Sequence, residues 1–95
     1  MSDPAYEIML ANADAVKRGV LSMWTIYNRP KDYPDGFIAR RFEVGRGEPP
    51  AWPVQVTDHT LTGELEAIRA TFLAIGMTCL NREPDDEAQI VETWL

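Results

Sequence analysis

Two runs rich in β-branched and aromatic residues, VLSMWTIY (20–27) and FIARRFEV (37–44), are separated by nine residues, NRPKDYPDG, that can continue neither. Pro30 and Pro34 interrupt any regular element, and Pro34-Asp35-Gly36 is a strong turn signal because proline presets φ and glycine tolerates a positive one. Runs of this composition favour extended backbone, and a turn between them makes an antiparallel hairpin, here with a longer loop than most. In the second run Ile38, Arg40, Phe42 and Val44 share one face, and Phe37, Ala39, Arg41 and Glu43 the other. The first run lacks that alternation and reads as a strand buried on both faces.

The other elements are built around this hairpin. Residues 4–18 read as a helix, with Asp3 as cap, Pro4 at the first helical position and Gly19 as terminator. Its apolar stripe is Tyr6, Met9, Leu10, Ala13 and Val16; being short and Ala-rich, it holds only when docked. VQV (54–56) reads as a short edge strand, which Pro53 could only begin. Leu61, Leu65, Ile68, Phe72 and Ile75 recur at spacings of four, three, four and three. That is one face of an amphipathic helix over 61–75, capped by Asp58, Thr60 or Thr62 and ended by Gly76. After it, MTCL (77–80) is short and apolar, and residues 81–87 form a polar turn. AQIVETWL (88–95) alternates again, with Ile90, Glu92 and Trp94 opposite Val91, Thr93 and Leu95; its β-branched content favours a strand over a helix starting at Pro84. The expected fold is α+β: an antiparallel sheet of four to five strands, the 61–75 helix on one face, and an N-terminal helix.

A chain of 95 residues, 45% hydrophobic and 25% charged, is one globular domain. Such a domain buries only roughly 60–65% of its unfolded surface, so self-association would add usefully to its stability. The formal charge is −6: residues 1–57 sum to zero, and residues 58–95 hold the whole excess. That balance makes duplex nucleic acid an unfavoured partner and basic partners a favoured one. No stretch approaches the roughly 18 apolar residues of a membrane span. The N-terminus lacks the basic start and apolar block of a secretory signal. The single cysteine, Cys79, excludes an internal disulfide and reads as a small buried hydrophobe in a reducing cytoplasm.

Little in the chain composes chemistry. The one histidine, His59, reads as an exposed residue at the start of the helix, and Cys79 is its only conceivable nucleophile. Neither Ser2 nor Ser22 sits in a Gly-x-Ser-x-Gly elbow. One Cys and one His cannot close a zinc site. Asp85-Asp86-Glu87 lacks the spacing and glycine of a calcium loop and reads as a solvated turn. Gly45-Arg46-Gly47 lacks the lysine, third glycine and following helix of a phosphate loop. Hence no catalytic, metal or cofactor residue is assigned. What remains is an aromatic and basic cluster on the hairpin, comprising Tyr27, Arg29, Lys31, Tyr33, Arg40 and Arg41. Arginine forks recognise carboxylates and phosphates, and an adjacent ring can stack on a planar ligand. Tyr27, Arg29, Tyr33, Arg40 and Arg41 are therefore candidate residues for binding a ligand or partner. Structural ion pairing, with Arg40 on Glu43 or Glu92, is the competing reading.

MWTIYNRPKDYP (23–34), FIARRFE (37–43), LNR (80–82), Asp85-Asp86 and IVETWL (90–95) together resemble a family of short bacterial proteins without an assigned activity. The resemblance implies a single α+β domain over 23–95, with residues 1–22 as a helical extension, and carries over no functional residue. Two functional classes follow from the residues themselves. The first is a small interaction module that is not an enzyme, working as a homodimer or with another protein. The second is a site for an anionic small molecule on the hairpin cluster, with or without catalysis; single-stranded nucleic acid is a weaker third.

Overall fold

The computed structural model describes residues 3–45, 54–82, 84 and 88–95. The chain opens with helix α1 (Pro4–Lys17), whose start follows local chemistry: the Asp3 carboxylate accepts from the Ala5 amide at 3.0 Å, and Pro4 occupies the first turn. Gly19 takes a φ of +75° beyond the helix end, a left-handed conformation that glycine adopts freely. The side that α1 buries is not the expected one. Ile8 and Ala15 are buried, whereas Tyr6, Met9, Leu10 and Val16 face outward. Asn12 lies between Ile8 and Ala15 on the inward side, and the hydrogen bonds it makes there turn the helix away from its own apolar stripe.

Strands β1 (Leu21–Asn28) and β2 (Phe37–Val44) form the expected antiparallel hairpin, in register from Leu21 opposite Val44 to Asn28 opposite Phe37. The Arg29 amide donates to the Gly36 carbonyl at 2.9 Å to close its loop. Strand β3 (Val54–Gly63) is much longer than the short edge strand expected, and helix α2 (Leu65–Ala74) starts correspondingly later than residue 61. Leu61 is thus a strand residue opposite Ala39, packing on the core from β3. Thr57, Thr60 and Thr62 favour extended backbone, and Gly63, at φ +148°, makes the break before α2. Strands β4 (Cys79–Asn81) and β5 (Ile90–Trp94) complete five antiparallel strands in the order β3-β2-β1-β5-β4. The acidic cluster 85–87 and the Arg46-Gly47 segment lie outside the described residues.

Both helices lie on one side of the sheet. Ile8 from α1 and Ile68 and Phe72 from α2 close over Trp24, Ile26, Ala39 and Trp94. Phe72 is the centre of an aromatic row, its ring 5.4 Å from that of Trp24 and 5.5 Å from that of Trp94. These tilted contacts each add something on the order of 1 kcal/mol beyond the area they bury. The spacing of Leu65, Ile68, Phe72 and Ile75 survives the shortening of the helix, because those four still form one inward face.

Candidate functional site

Pleating sends Arg40 and Arg41 to opposite sides of the sheet, so the hairpin cluster separates. Arg41 is 5% exposed on the helix side, beneath α1. Its Nε donates to Ser22 Oγ at 2.8 Å and its Nη2 to the Ala11 carbonyl at 3.2 Å, and it pairs with Glu43 at 3.0 Å. Arg40 pairs instead with Asp32 in the β1–β2 loop at 2.5 Å, and its guanidinium stands 5.2 Å from the centre of the Tyr27 ring. That contact holds the Asp32 carboxyl below its ordinary value. The expected partners Glu43 and Glu92 are out of reach for Arg40 because both lie on the helix side. Tyr27, Lys31 and Arg40 line a cavity of about 230 Å³ with Pro30 and Gln89. Arg29 and Tyr33 line a different one, of about 200 Å³, beside Gly36 and Phe37.

Beneath α1, Arg41 belongs to a polar relay. Ser22 Oγ accepts from Arg41 and donates to Asn12 Oδ1 at 2.5 Å; Trp24 Nε1 lies 3.4 Å from the same oxygen. Glu43 is gripped by the fork of Arg18 at 3.0 and 2.6 Å as well as by Arg41. Arg18 first, and Arg41 after it, hold the Glu43 carboxyl down at about 2 against the opposing effect of burial. No described buried side-chain nitrogen or oxygen lacks a hydrogen-bond partner. The relay is a clasp between α1 and the β1–β2 hairpin. Asn12, Ser22 and Glu43 were not among the candidate residues; the signal for them was the spacing of Ile8, Asn12 and Ala15, which puts a polar side chain on a helix's docking face.

A second polar cluster sits under α2. The Glu92 carboxylate accepts from Arg69 Nε and Nη2 at 3.0 and 2.5 Å, from Trp94 Nε1 at 2.8 Å and from Cys79 Sγ at 3.1 Å. Burial works to raise its pKa, but these donors, Arg69 foremost, keep it below the ordinary carboxylate value. An open cleft of about 380 Å³ lies over it, lined by Arg69, Cys79, Glu92 and Trp94 among others. Cys79 is exposed rather than buried, because β4 is an edge strand. Its sulfur nonetheless turns in toward Glu92, and partial desolvation followed by the adjacent carboxylate pushes the thiol up to about 11. His59 is not at a helix start either. It sits half-buried on β3 with its ring centre 4.9 Å from that of Trp24, and desolvation, then the Arg41 charge, lowers its pKa. β3 and β4 are opposite edges of the sheet, so His59 and Cys79 cannot act on one atom. Among the described residues, no group of three or more His, Cys, Asp or Glu side chains could hold a metal ion.

No family model, curated protein or solved structure matches the chain. Its geometry is therefore what speaks to function.

The side of the sheet away from the helices is the largest unexplained feature of that geometry. Register places Leu21, Met23, Phe42, Val44, Val54 and Val56 together there, at one end. Thr25, Thr93 and Leu80 continue the face toward the other edge, and Tyr27, Ile38 and Arg40 lie at its far end. Arg40 is the one charged side chain among these register-paired positions, and Asp32 neutralises it. Both helices pack on the opposite side of the sheet, yet the centre of this face is buried, with Thr25 and Ile38 only 5% and 7% exposed. Leu21, Val54, Val56 and Leu80 are 46–66% exposed. No described helix is long and apolar enough to cross a membrane.

Proposed function

We propose that this protein is an interaction module that associates through the exposed apolar residues at one end of its sheet, Leu21, Val54 and Val56. The observation that carries this reading is the apolar group at one end of the side away from the helices, where Leu21, Val54 and Val56 are 48–66% exposed beside half-buried Met23, Phe42 and Val44. A sheet with a single solvated face ordinarily turns polar side chains to water. A contiguous apolar patch beyond a few hundred Å² is rare on a monomer and marks a surface that another molecule covers. Tyr27 and Arg40 at the end of the face, with their adjoining cavity, supply polar groups that orient a partner. A small-anion site made from the whole hairpin cluster draws less support, since Asp32 engages Arg40 and the relay beneath α1 engages Arg41.

A photoreactive amino acid placed at Val56 or Leu21, and at Glu66 on the exposed side of α2 as a control, tests the reading in living cells. Covalent adducts from positions 56 and 21, identified by mass spectrometry and absent from position 66, are expected. A face that yields no more adduct than the control is not an interaction surface.

A further inference from the structure

We infer that the cavity between the β1–β2 loop and the start of β5 binds the phosphate group of a small ester, which displaces the Asp32 carboxylate from Arg40. The cavity lies at the end of the sheet away from Leu21, Val54 and Val56, so it stands or falls separately from an association there.

Local geometry makes the site. Arg29 follows β1 with a φ of +49°, a left-handed conformation uncommon outside glycine, and redirects the chain at once. Pro30 is buried, and the Tyr33 amide donates to its carbonyl at 2.9 Å. That turn puts Lys31 and Asp32 at its two central positions, where both are exposed. Arg40 approaches from β2, and the Tyr27 ring, its centre 5.2 Å from the guanidinium, limits how the fork can turn. Tyr27, Pro30, Lys31, Arg40 and Gln89 line about 230 Å³, the share of roughly seven or eight water molecules.

The charge on the wall selects the ligand. Two of those lining side chains are cations and none is acidic. Lys31 makes no ion pair among the described residues. Asp32 reaches Arg40 from outside the wall, through one nitrogen, with 69% of its own side chain exposed. An exposed pair of this kind is worth little and yields to a stronger anion. A carboxylate ligand would only repeat what Asp32 supplies. A phosphate monoester carries nearly two negative charges at neutral pH and three acceptor oxygens, so it can take the Arg40 fork and the Lys31 ammonium together. Pro30 and the Tyr27 ring leave apolar surface beside those charges for the carbon part of the ester. The other half of the hairpin cluster offers no equivalent, because Arg29 and Tyr33 share their cavity with Asp35 and Glu64.

Phenyl phosphate titrated into the ¹⁵N-labelled full chain, followed by NMR, tests the site. Saturable shifts are expected at Tyr27, Lys31, Arg40 and Gln89, larger than those at Tyr33 and Glu64. Arg40→Met removes the fork and should weaken binding at least tenfold. Asp32→Asn removes the internal competitor and should tighten binding about threefold. Neither position is fully buried, so both variants should keep the far-ultraviolet circular dichroism of the parent. Inorganic phosphate, which lacks the carbon part, and benzoate, which carries a single charge, should each bind more weakly. No saturable shift by about 20 mM phenyl phosphate, even in the Asp32→Asn chain, overturns the inference, as does an affinity that Arg40→Met leaves unchanged. Inorganic phosphate or benzoate binding as tightly as the ester overturns the choice of ligand.

Discussion

Replacing Ser22 with alanine removes one oxygen atom, and the structure gives that atom an outsized cost. Ser22 Oγ is the middle of the relay under α1, accepting from the buried Arg41 and donating to Asn12. Without it, Arg41 Nε loses its acceptor in a site where the residue is 5% exposed, and water has little room to substitute. Asn12 Oδ1 is less affected, because Trp24 Nε1 still approaches it at 3.4 Å. An unsatisfied buried donor costs roughly 1–3 kcal/mol, and a charged one lies toward the upper end, so Ser22→Ala should destabilise by about 2 kcal/mol. For a domain of this size that is a fall in Tm of roughly 8–16 °C. Urea denaturation with circular dichroism measures it, and a second substitution makes it diagnostic. Arg41→Met removes the donor that Ser22→Ala orphans, so the double variant should be more stable than the sum of the single effects allows, by about 1–2 kcal/mol. A cost for Ser22→Ala below about 0.5 kcal/mol, within the range of ordinary surface substitutions, would refute the clasp, as would strict additivity of the pair.

Two further expectations follow from the charged groups. Glu43 has a folded-state pKa of about 2 against an ordinary 4.5, so its contribution is complete above pH 4.5 and disappears as the pH falls toward 2. The urea midpoint should drop across that window, and Glu43→Gln should flatten the drop; a midpoint indifferent to pH between 5 and 2.5 would contradict the Arg18–Glu43–Arg41 geometry. Cys79 is exposed, yet its thiol is raised to about 11, so alkylation by iodoacetamide near neutral pH should be markedly slower than for a free thiol of pKa about 8.5. Glu92→Gln should speed it, and an alkylation rate equal to that of a free cysteine peptide would show that the sulfur does not meet Glu92.

The hairpin was legible because its signals agree: two β-rich runs, a proline-interrupted loop and a Pro-Asp-Gly turn describe β1 and β2 to within a residue at each end. The start of α2 was not, and Leu61 shows why. A leucine four residues before Leu65 fits a helical stripe, and it fits equally a strand whose inward side meets Ala39. Only pairing with β2 separates the two, and pairing is not local. The orientation of α1 failed for a related reason. Tyr6, Met9, Leu10 and Val16 make the better apolar stripe, but the side with Ile8, Asn12 and Ala15 makes hydrogen bonds that become available only when Ser22 and Arg41 lie opposite. Of the candidate site, the residues were legible and their grouping was not. Arg40 and Arg41 are neighbours in sequence, and the pleat sends them to different sides of the sheet.

That division has a consequence for what the fold is built to do. On β2, the helix side holds Phe37, Ala39, Arg41 and Glu43, and the side without helices holds Ile38, Arg40, Phe42 and Val44. A polar clasp specifies geometry more than it adds stability, because hydrogen-bonded charges recover little beyond their own desolvation. Oily side chains do the reverse, contributing energy to whatever covers them with little regard to angle. The domain therefore uses its directional groups to seat a weakly apolar helix, and leaves Leu21, Val54 and Val56 about half to two-thirds exposed on the other side of the sheet. The apolar area of Leu21, Val54 and Val56 is taken from water only when a second surface closes on it, which is why that end of the sheet is where an association would contribute energy.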